Sequence, residues 1–328
     1  MEDVLISRRT WAALAATLLL ALPFAAPAQA KWPERPVKIV LPFGAGGVAD
    51  TTARIVAEKL SAKLGERFVI ENMPGPGGIS AAKAVTSAAP DGYTLGLVTN
   101  GTAISVAAFK NLPFDPVKDF EMISTIGTFD LVFVVNAESE FKTMADFIKA
   151  AKVQPGKLNI GTIAVGGTQN LGAELLKSLA DINIQIIAYK SSPEIVVALL
   201  RNDVQMLVEF PPAVKGQVND GKLRVLAASG PARMTTMPDV PTAAQAGVTG
   251  YEVTSWNAIG APKGTPKEVL DTMNKALHEV LAAPDVKAAF AKVDVEAKAS
   301  TPAEMMKRLQ DDIKKWDAVI QKAGIEKK

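Results

Sequence analysis

The sequence predicts an α/β protein of two units, each with a mostly parallel sheet flanked by helices. Three observations point there. Short apolar runs of strand length alternate with longer segments whose apolar residues recur at helical spacing. The alternation comes in two sets, over about 37–102 and about 143–228. In both sets the strands end in bends rich in glycine, hydroxyl and amide residues, and ligands of such sheets sit beyond the carboxyl ends of strands.

The elements follow in chain order. Arg8 and Arg9, the apolar run Trp11 to Leu22 and the small-x-small site Ala28-Gln29-Ala30 make an export signal over 1–30. The run is shorter than the roughly 20 residues that span a bilayer. Ser7-Arg8-Arg9-Thr10-Trp11 half resembles a twin-arginine signal without its aromatic-leucine-lysine tail, so general secretion is the expected route. A strand over 37–42 runs into Pro42-Phe43-Gly44-Ala45-Gly46-Gly47 and a helix from Asp50 to Leu64. Such a bend leaves bare N–H groups at the positive end of a helix, a seat for an anion. Strands follow at 68–70 and 93–98, separated by a small-residue helix over 79–89, and the third strand ends at Thr99-Asn100-Gly101-Thr102. The stretch 122–135 is long and strand-like, with a break expected at Gly127.

In the second set a helix over 143–152 precedes a strand at 158–160, the bend Gly161 to Thr168 and a helix over 169–180. Strands at 184–188, 204–208 and 223–228 follow, the first ending at Tyr189-Lys190-Ser191-Ser192 and the second at Glu209. A helix starts at Pro193. The last third holds a short strand near 255–259 and then helices. Thr265-Pro266-Lys267-Glu268 and Thr301-Pro302-Ala303-Glu304 both read as capping boxes with proline at the first helical position. Met306, Leu309, Ile313, Trp316 and Ile320 form the buried face of the final helix.

Composition narrows the chemistry. After cleavage about 298 residues remain, enough for two cored units. Cleavage removes two acids and two bases, so the net charge stays +2. Charges of both signs are interspersed with no basic block, which argues against nucleic acid as a partner. The absence of cysteine excludes thiol chemistry, disulfides and thiolate metal sites. One histidine, His278, falls beside the apolar face of a helix, and its predicted place is the surface. No nucleophile elbow or calcium loop appears, and no metal or cofactor is expected. The bends at 42–50, 99–102, 161–168, 189–192 and 209–212 therefore suit a clamp for a small anion, made of N–H and O–H donors. One rival reading is dinucleotide binding. Gly44-Ala45-Gly46-Gly47-Val48-Ala49 fits Gly-x-Gly-x-x-Ala, and Glu71 stands where a ribose-binding acid belongs. Export and Asp50 in the first helical turn count against an NAD enzyme.

A series of motifs in register resembles one family. These are Trp32-Pro33-Glu34-Arg35-Pro36 with Pro42-Phe43, Glu71-Asn72 with Pro74-Gly75 and Gly77-Gly78, and Pro90-Asp91-Gly92-Tyr93-Thr94-Leu95. Leu112-Pro113-Phe114-Asp115-Pro116, Pro155-Gly156-Lys157-Leu158, Tyr189-Lys190, Gly221-Lys222-Leu223-Arg224, Pro238-Asp239-Val240-Pro241-Thr242, Trp256 and Ala261-Pro262-Lys263-Gly264-Thr265-Pro266 continue it. The mature chain thus resembles periplasmic solute-binding proteins of the tripartite tricarboxylate transporter type, the Bug or TctC family. The resemblance implies a two-lobed class II periplasmic-binding-protein fold with a ligand cleft between the lobes. It implies a non-enzymatic, monomeric receptor that closes on a small carboxylate and delivers it to membrane permease components. A subunit that reports ligand status to a signalling kinase is the alternative on the same fold. The implied lobes are 31–128 with 230–328, and 129–229. The implied ligand residues are Phe43, Gly44, Ala45, Gly46, Gly47 and Asp50, then Ala164, Val165, Gly166, Gly167 and Thr168. In that scheme water bridges Asp50 to a carboxylate. Thr99, Asn100, Tyr189, Ser191 and Glu209 complete the expected lining. The chain departs from the family pattern at Ser191, Asn170, Glu209 and Arg201-Asn202, and Glu209 is expected to face a ligand amine or hydroxyl.

Overall fold

The computed structural model of the protein describes residues 32–163 and 166–327. The export signal over 1–30 therefore lies outside the described residues, as do Ala164 and Val165. The described residues from Arg35 onwards form one compact unit, and 32–34 lie outside it.

In the compact unit, β1 (Val37–Leu41) leads into α1 (Val48–Leu64), then β2 (Phe68–Asn72), a 3₁₀ turn at Pro76–Gly78 and α2 (Ile79–Thr86). Next come β3 (Thr94–Thr99), α3 (Asn100–Ala108), β4 (Phe120–Asp130), β5 (Val132–Asn136), α4 (Met144–Val153), β6 (Asn159–Ile163) and α5 (Thr168–Leu179). The chain continues through β7 (Gln185–Tyr189), α6 (Ser192–Leu200), β8 (Met206–Glu209), α7 (Lys215–Asn219) and β9 (Leu223–Ala228). It ends with β10 (Thr254–Pro262), α8 (Lys267–Ala282), α9 (Pro284–Ala291), β11 (Glu296–Ala297) and α10 (Pro302–Lys322).

These strands build two sheets, in the orders β11-β4-β10-β3-β1-β2 and β7-β6-β8-β5-β9. Each sheet is mixed, which corrects the expectation of mostly parallel sheets. The strands β2, β1 and β3, and likewise β7, β6 and β8, are parallel, as helix crossovers require. The strands β4, β10 and β11 in one sheet, and β5 and β9 in the other, pair antiparallel. The chain passes straight from β4 to β5 with no helix between them, and these two strands lie in different sheets.

Three local expectations also need correction. The break in 122–135 falls at Leu131, between the sheets, and Gly127 lies inside β4. Its missing side chain has a packing reason: a Cβ there would stand 2.7 Å from Val295 Cγ1 and 3.1 Å from the Phe290 ring. Residues 100–108 form a helix, where only a bend was expected. The Thr301 capping box forms, with Thr301 Oγ1 accepting from the Glu304 N–H, but Thr265 caps nothing. Its hydroxyl donates to the Pro262 carbonyl at 2.8 Å and closes a turn.

The final helix is amphipathic as predicted, and buries Met305, Leu309, Trp316 and Ile320, with Met306 and Ile313 half-buried. One apolar cluster runs through both sheets, from Val40 and Val98 to Leu131, Phe133, Ile160 and Trp316. His278 is exposed on α8, as expected. The five predicted bend segments fall at the carboxyl ends of β1, β3, β6, β7 and β8, although 161–163 belong to β6 and 100–102 to α3.

Candidate functional site

The first bend joins β1 to α1. Gly46 has φ +88°, a left-handed conformation that favours glycine. Gly47 is the N-cap of α1 and offers no side-chain cap, so the first N–H groups of the helix face outward unpaired within it. A Cβ added at Gly44, Gly46 or Gly47 would meet nothing within 4 Å, so the backbone of this bend opens onto free space. Phe43, Gly44, Ala45, Gly46 and Gly47 are all exposed.

Asp50 sits in the first turn of α1 and is 3% exposed. Its Oδ2 accepts from the Gly46 N–H at 2.9 Å and from Arg54 Nε at 2.9 Å. Its Oδ1 accepts from Arg54 Nη2 and Asn72 Nδ2, both at 2.9 Å. Asn72 Nδ2 also reaches the Phe43 carbonyl at 3.0 Å. The hydrogen bond from Arg54 holds the carboxyl down at about 2, with the Gly46 N–H and Asn72 assisting and burial opposing. Asp50 therefore braces the bend from within the fold, a task the family resemblance did not assign to it.

The second bend, from β6 to α5, repeats the device. Gly166 has φ +78°, and Gly167 is an N-cap without a side-chain cap. The Gly166 N–H donates to Asn170 Oδ1 at 2.9 Å, and Asn170 is 4% exposed. Asn170 Nδ2 in turn donates to Thr162 Oγ1 at 3.3 Å. Gly46-Gly47-x-x-Asp50 and Gly166-Gly167-x-x-Asn170 are thus one motif used twice. A Cβ at Gly166 would also meet nothing within 4 Å.

The remaining predicted residues gather around the second bend. Thr99 caps α3, with its N–H donating to Thr102 Oγ1 at 3.2 Å. Asn100 is buried and its Nδ2 donates to Thr168 Oγ1 at 3.1 Å. Glu209 is 2% exposed and accepts from Gln169 Nε2 at 2.9 Å, Ser192 Oγ at 2.8 Å and the Phe210 N–H at 2.7 Å. It ties the ends of β8, α5 and α6 together, and these three donors occupy the carboxylate that was expected to face a ligand. Ser191 is the half-buried N-cap of α6 and makes no capping bond of its own. The Tyr189 ring packs with Ile163 and Ile187 against Ile195 and Val204, and burial raises its phenol above the ordinary value. Among the described residues no hydrogen bond joins the first bend to the second.

Arg54 and Gln169 were not singled out from sequence. The i, i+4 spacing of Asp50 and Arg54 is the signal that finds the first. Nothing local pairs Gln169 with Glu209. Glu71, the acid of the dinucleotide reading, is paired with Lys38 at 2.7 Å. A cavity of about 710 Å³ lies away from the bends, around Asp130, Arg233, Glu252, Glu296 and Arg308. Burial pushes the Asp130 carboxyl up to about 6 and lowers the Arg308 guanidinium.

Two mixed sheets flanked by helices, with a glycine bend at the end of one strand in each, define an α/β protein with two candidate anion seats. The profile of the family described as tripartite tricarboxylate transporter family receptor matches residues 52–325, and the chain belongs to that family. It is 32% identical over 303 residues to BugT of Bordetella pertussis, covering 92% of this chain and 93% of BugT. Among solved structures it is similar to an R. palustris protein with adipate, at TM-score 0.77 and 32% identity, over 90% of this chain and 99% of that one. It is also similar to MatC from Rhodopseudomonas palustris with bound malate, at TM-score 0.73 and 28% identity, over 88% and 100% of the two chains. The fold is the two-sheet architecture shared with the solved periplasmic binding protein BugD, at TM-score 0.74 and 29% identity over 90% of this chain and 100% of that one, and the family is one of receptors.

Proposed function

We propose that the protein is a periplasmic receptor that takes a small carboxylate between two lobes, closes on it and passes it to the membrane components of a tripartite tricarboxylate-type transporter. The lobes are 31–128 with 230–328, and 129–229, each carrying one glycine bend. The observation that carries this reading is the doubled motif. Two helix N-termini without side-chain caps, each behind a Gly-Gly bend open at Gly46 and Gly47 in the first and at Gly166 in the second, offer N–H donors and partial positive charge. Asp50 is neutralised by Arg54, so it does not repel an anion at the bend. Adipate and malate in the two related structures fit the same chemistry.

Titration calorimetry of the mature protein with adipate and malate tests the proposal. Micromolar binding to at least one is expected, weakened at least tenfold in Gly46→Val and Gly166→Val. Absence of heat and of any thermal shift with both acids, and with a panel of other mono- and dicarboxylates, would overturn it.

A further inference from the structure

Trp316 of α10 and Asn100 of α3 are both buried, at 0% and 1% exposure, although 216 residues separate them. The indole Nε1 donates to Asn100 Oδ1 at 2.9 Å, and Asn100 Nδ2 donates to Thr168 Oγ1 at 3.1 Å. An amide side chain can ordinarily turn over and exchange its donor and acceptor ends. Here it cannot. An indole has one N–H and no acceptor, so its partner must be the amide oxygen. The NH₂ end is thereby directed at Thr168. That nitrogen has no lone pair to offer, so Thr168 accepts, and its own O–H hydrogen turns away from Asn100. Among the described residues the Thr168 hydroxyl makes no other hydrogen bond. Thr168 is the first residue of α5, directly after Gly166-Gly167. The matching place in the first bend is Val48, so this hydroxyl belongs to the second bend alone.

We infer that Trp316 is a positioning residue for ligand binding: through Asn100 it fixes Thr168 as a hydrogen-bond donor to an anionic oxygen at the second bend. The direction of every bond in the relay is set by the one group that can only donate. The relay favours a carboxylate oxygen over a group that itself donates, such as a carboxamide. It rests on the reading of the glycine bends as a carboxylate site, and the experiment separates the two.

The test is a double-mutant cycle on the mature protein, read by calorimetry with adipate and malate as probes. Trp316→Phe keeps an aromatic ring, smaller than the indole, and loses the N–H. It is expected to weaken binding roughly fivefold, and Thr168→Val by a similar factor. In the Thr168→Val background, Trp316→Phe is expected to change affinity less than twofold, while Thr168→Ser keeps both the affinity and the dependence on Trp316. Losses that simply multiply in the double variant overturn the relay and leave the site standing. Wild-type affinity in Thr168→Val overturns it too, since the hydroxyl then donates nothing to the ligand. Should Trp316→Phe fail to fold, Asn100→Ala enters the same cycle. A second measurement needs no ligand. In nitrogen-15 spectra the Asn100 side-chain NH₂ is expected to be protected from solvent exchange and to lose that protection in Trp316→Phe. Unchanged protection overturns the inference even where neither probe binds and the site reading itself falls.

Discussion

Asp50 shapes the first bend more than any glycine within it, because four donors converge on its two oxygens. A carboxyl whose native pKa lies below its ordinary value stabilises the fold while ionised. For Asp50 that contribution is complete above about pH 4 and is lost as pH falls through about 2. The expected outcome is that Asp50→Asn melts below the wild type at pH 7, and that the gap closes between pH 4 and pH 2. Melting curves across that range check it, and a gap independent of pH would remove the ion pair from the account. Gly46 acts differently. Its φ of +88° strains a β-branched residue, while nothing stands within 4 Å for a side chain to strike. Gly46→Val is therefore expected to stay folded and to bind at least tenfold more weakly, about 1.4 kcal/mol. Gly47 has an ordinary φ of −79°, so Gly47→Ala strains nothing and tests the open face alone. Unchanged calorimetric affinity in Gly46→Val would exclude the bend from the site.

The passage between the two sheets is held by a few bonds on Ser229. Leu131 N–H donates to Ser229 Oγ at 2.7 Å, Ser229 N–H to the Leu131 carbonyl at 2.9 Å and Val253 N–H to the Ser229 carbonyl at 2.8 Å. The Ser229 hydroxyl also bonds the Val253 carbonyl. Ser229→Ala leaves a buried N–H and a carbonyl underpaired, and a loss of about 1–3 kcal/mol is expected in denaturant unfolding. Asp130 ends β4 beside this passage, so close to Gly230 that a Cβ there would stand 2.0 Å from its Oδ2. Its carboxyl is raised from 3.8 to about 6, chiefly by burial, so its ionised form weakens the native state. That penalty is complete well above pH 6, shrinks as pH falls through 6 and disappears below 3.8, where both folded and unfolded chains are protonated. Asp130→Asn is expected to raise the melting temperature at pH 8 and to approach the wild type at about pH 3; equal stability at pH 8 would contradict the assignment. The sequence showed where most strands and helices lie, because their apolar periodicity is strong. It misled where the physics is not local. Gly127 looks like a break, but its role depends on Val295 and Phe290 from another part of the chain. Thr265 looks like a cap, but the Pro262 carbonyl takes its hydroxyl first. Residues 100–108 hide a helix, because small residues give little amphipathic contrast.

The candidate site was legible to the same degree. The Gly-Gly doublets and the residue four positions after Gly46 and Gly166 stand in plain view, and they carry the bends. The roles of Asp50 and Glu209 did not, because Asn72, Gln169 and Ser192 reach them only through the fold. The contact of Trp316 with Asn100 spans 216 positions and has no local signature. These long-range bonds bear on the proposed closure. The helix α10 packs on both α3 and α5, and Asn100 already bonds Thr168. The second bend is therefore tied to the first sheet through Asn100. In the proposed closure this bond limits how far the two bends part in the ligand-free protein. A compact chain of about 298 residues has a radius of gyration near 19 Å. Solution scattering of the mature protein is expected to give a larger value without ligand, and to fall towards it with saturating adipate or malate. Asn100→Ala should raise the ligand-free value further, because it cuts the tether. Identical curves for the free wild type and this variant would mean that the bond does not restrain the lobes. A bound form as extended as the free one would mean that the protein holds its ligand without closing.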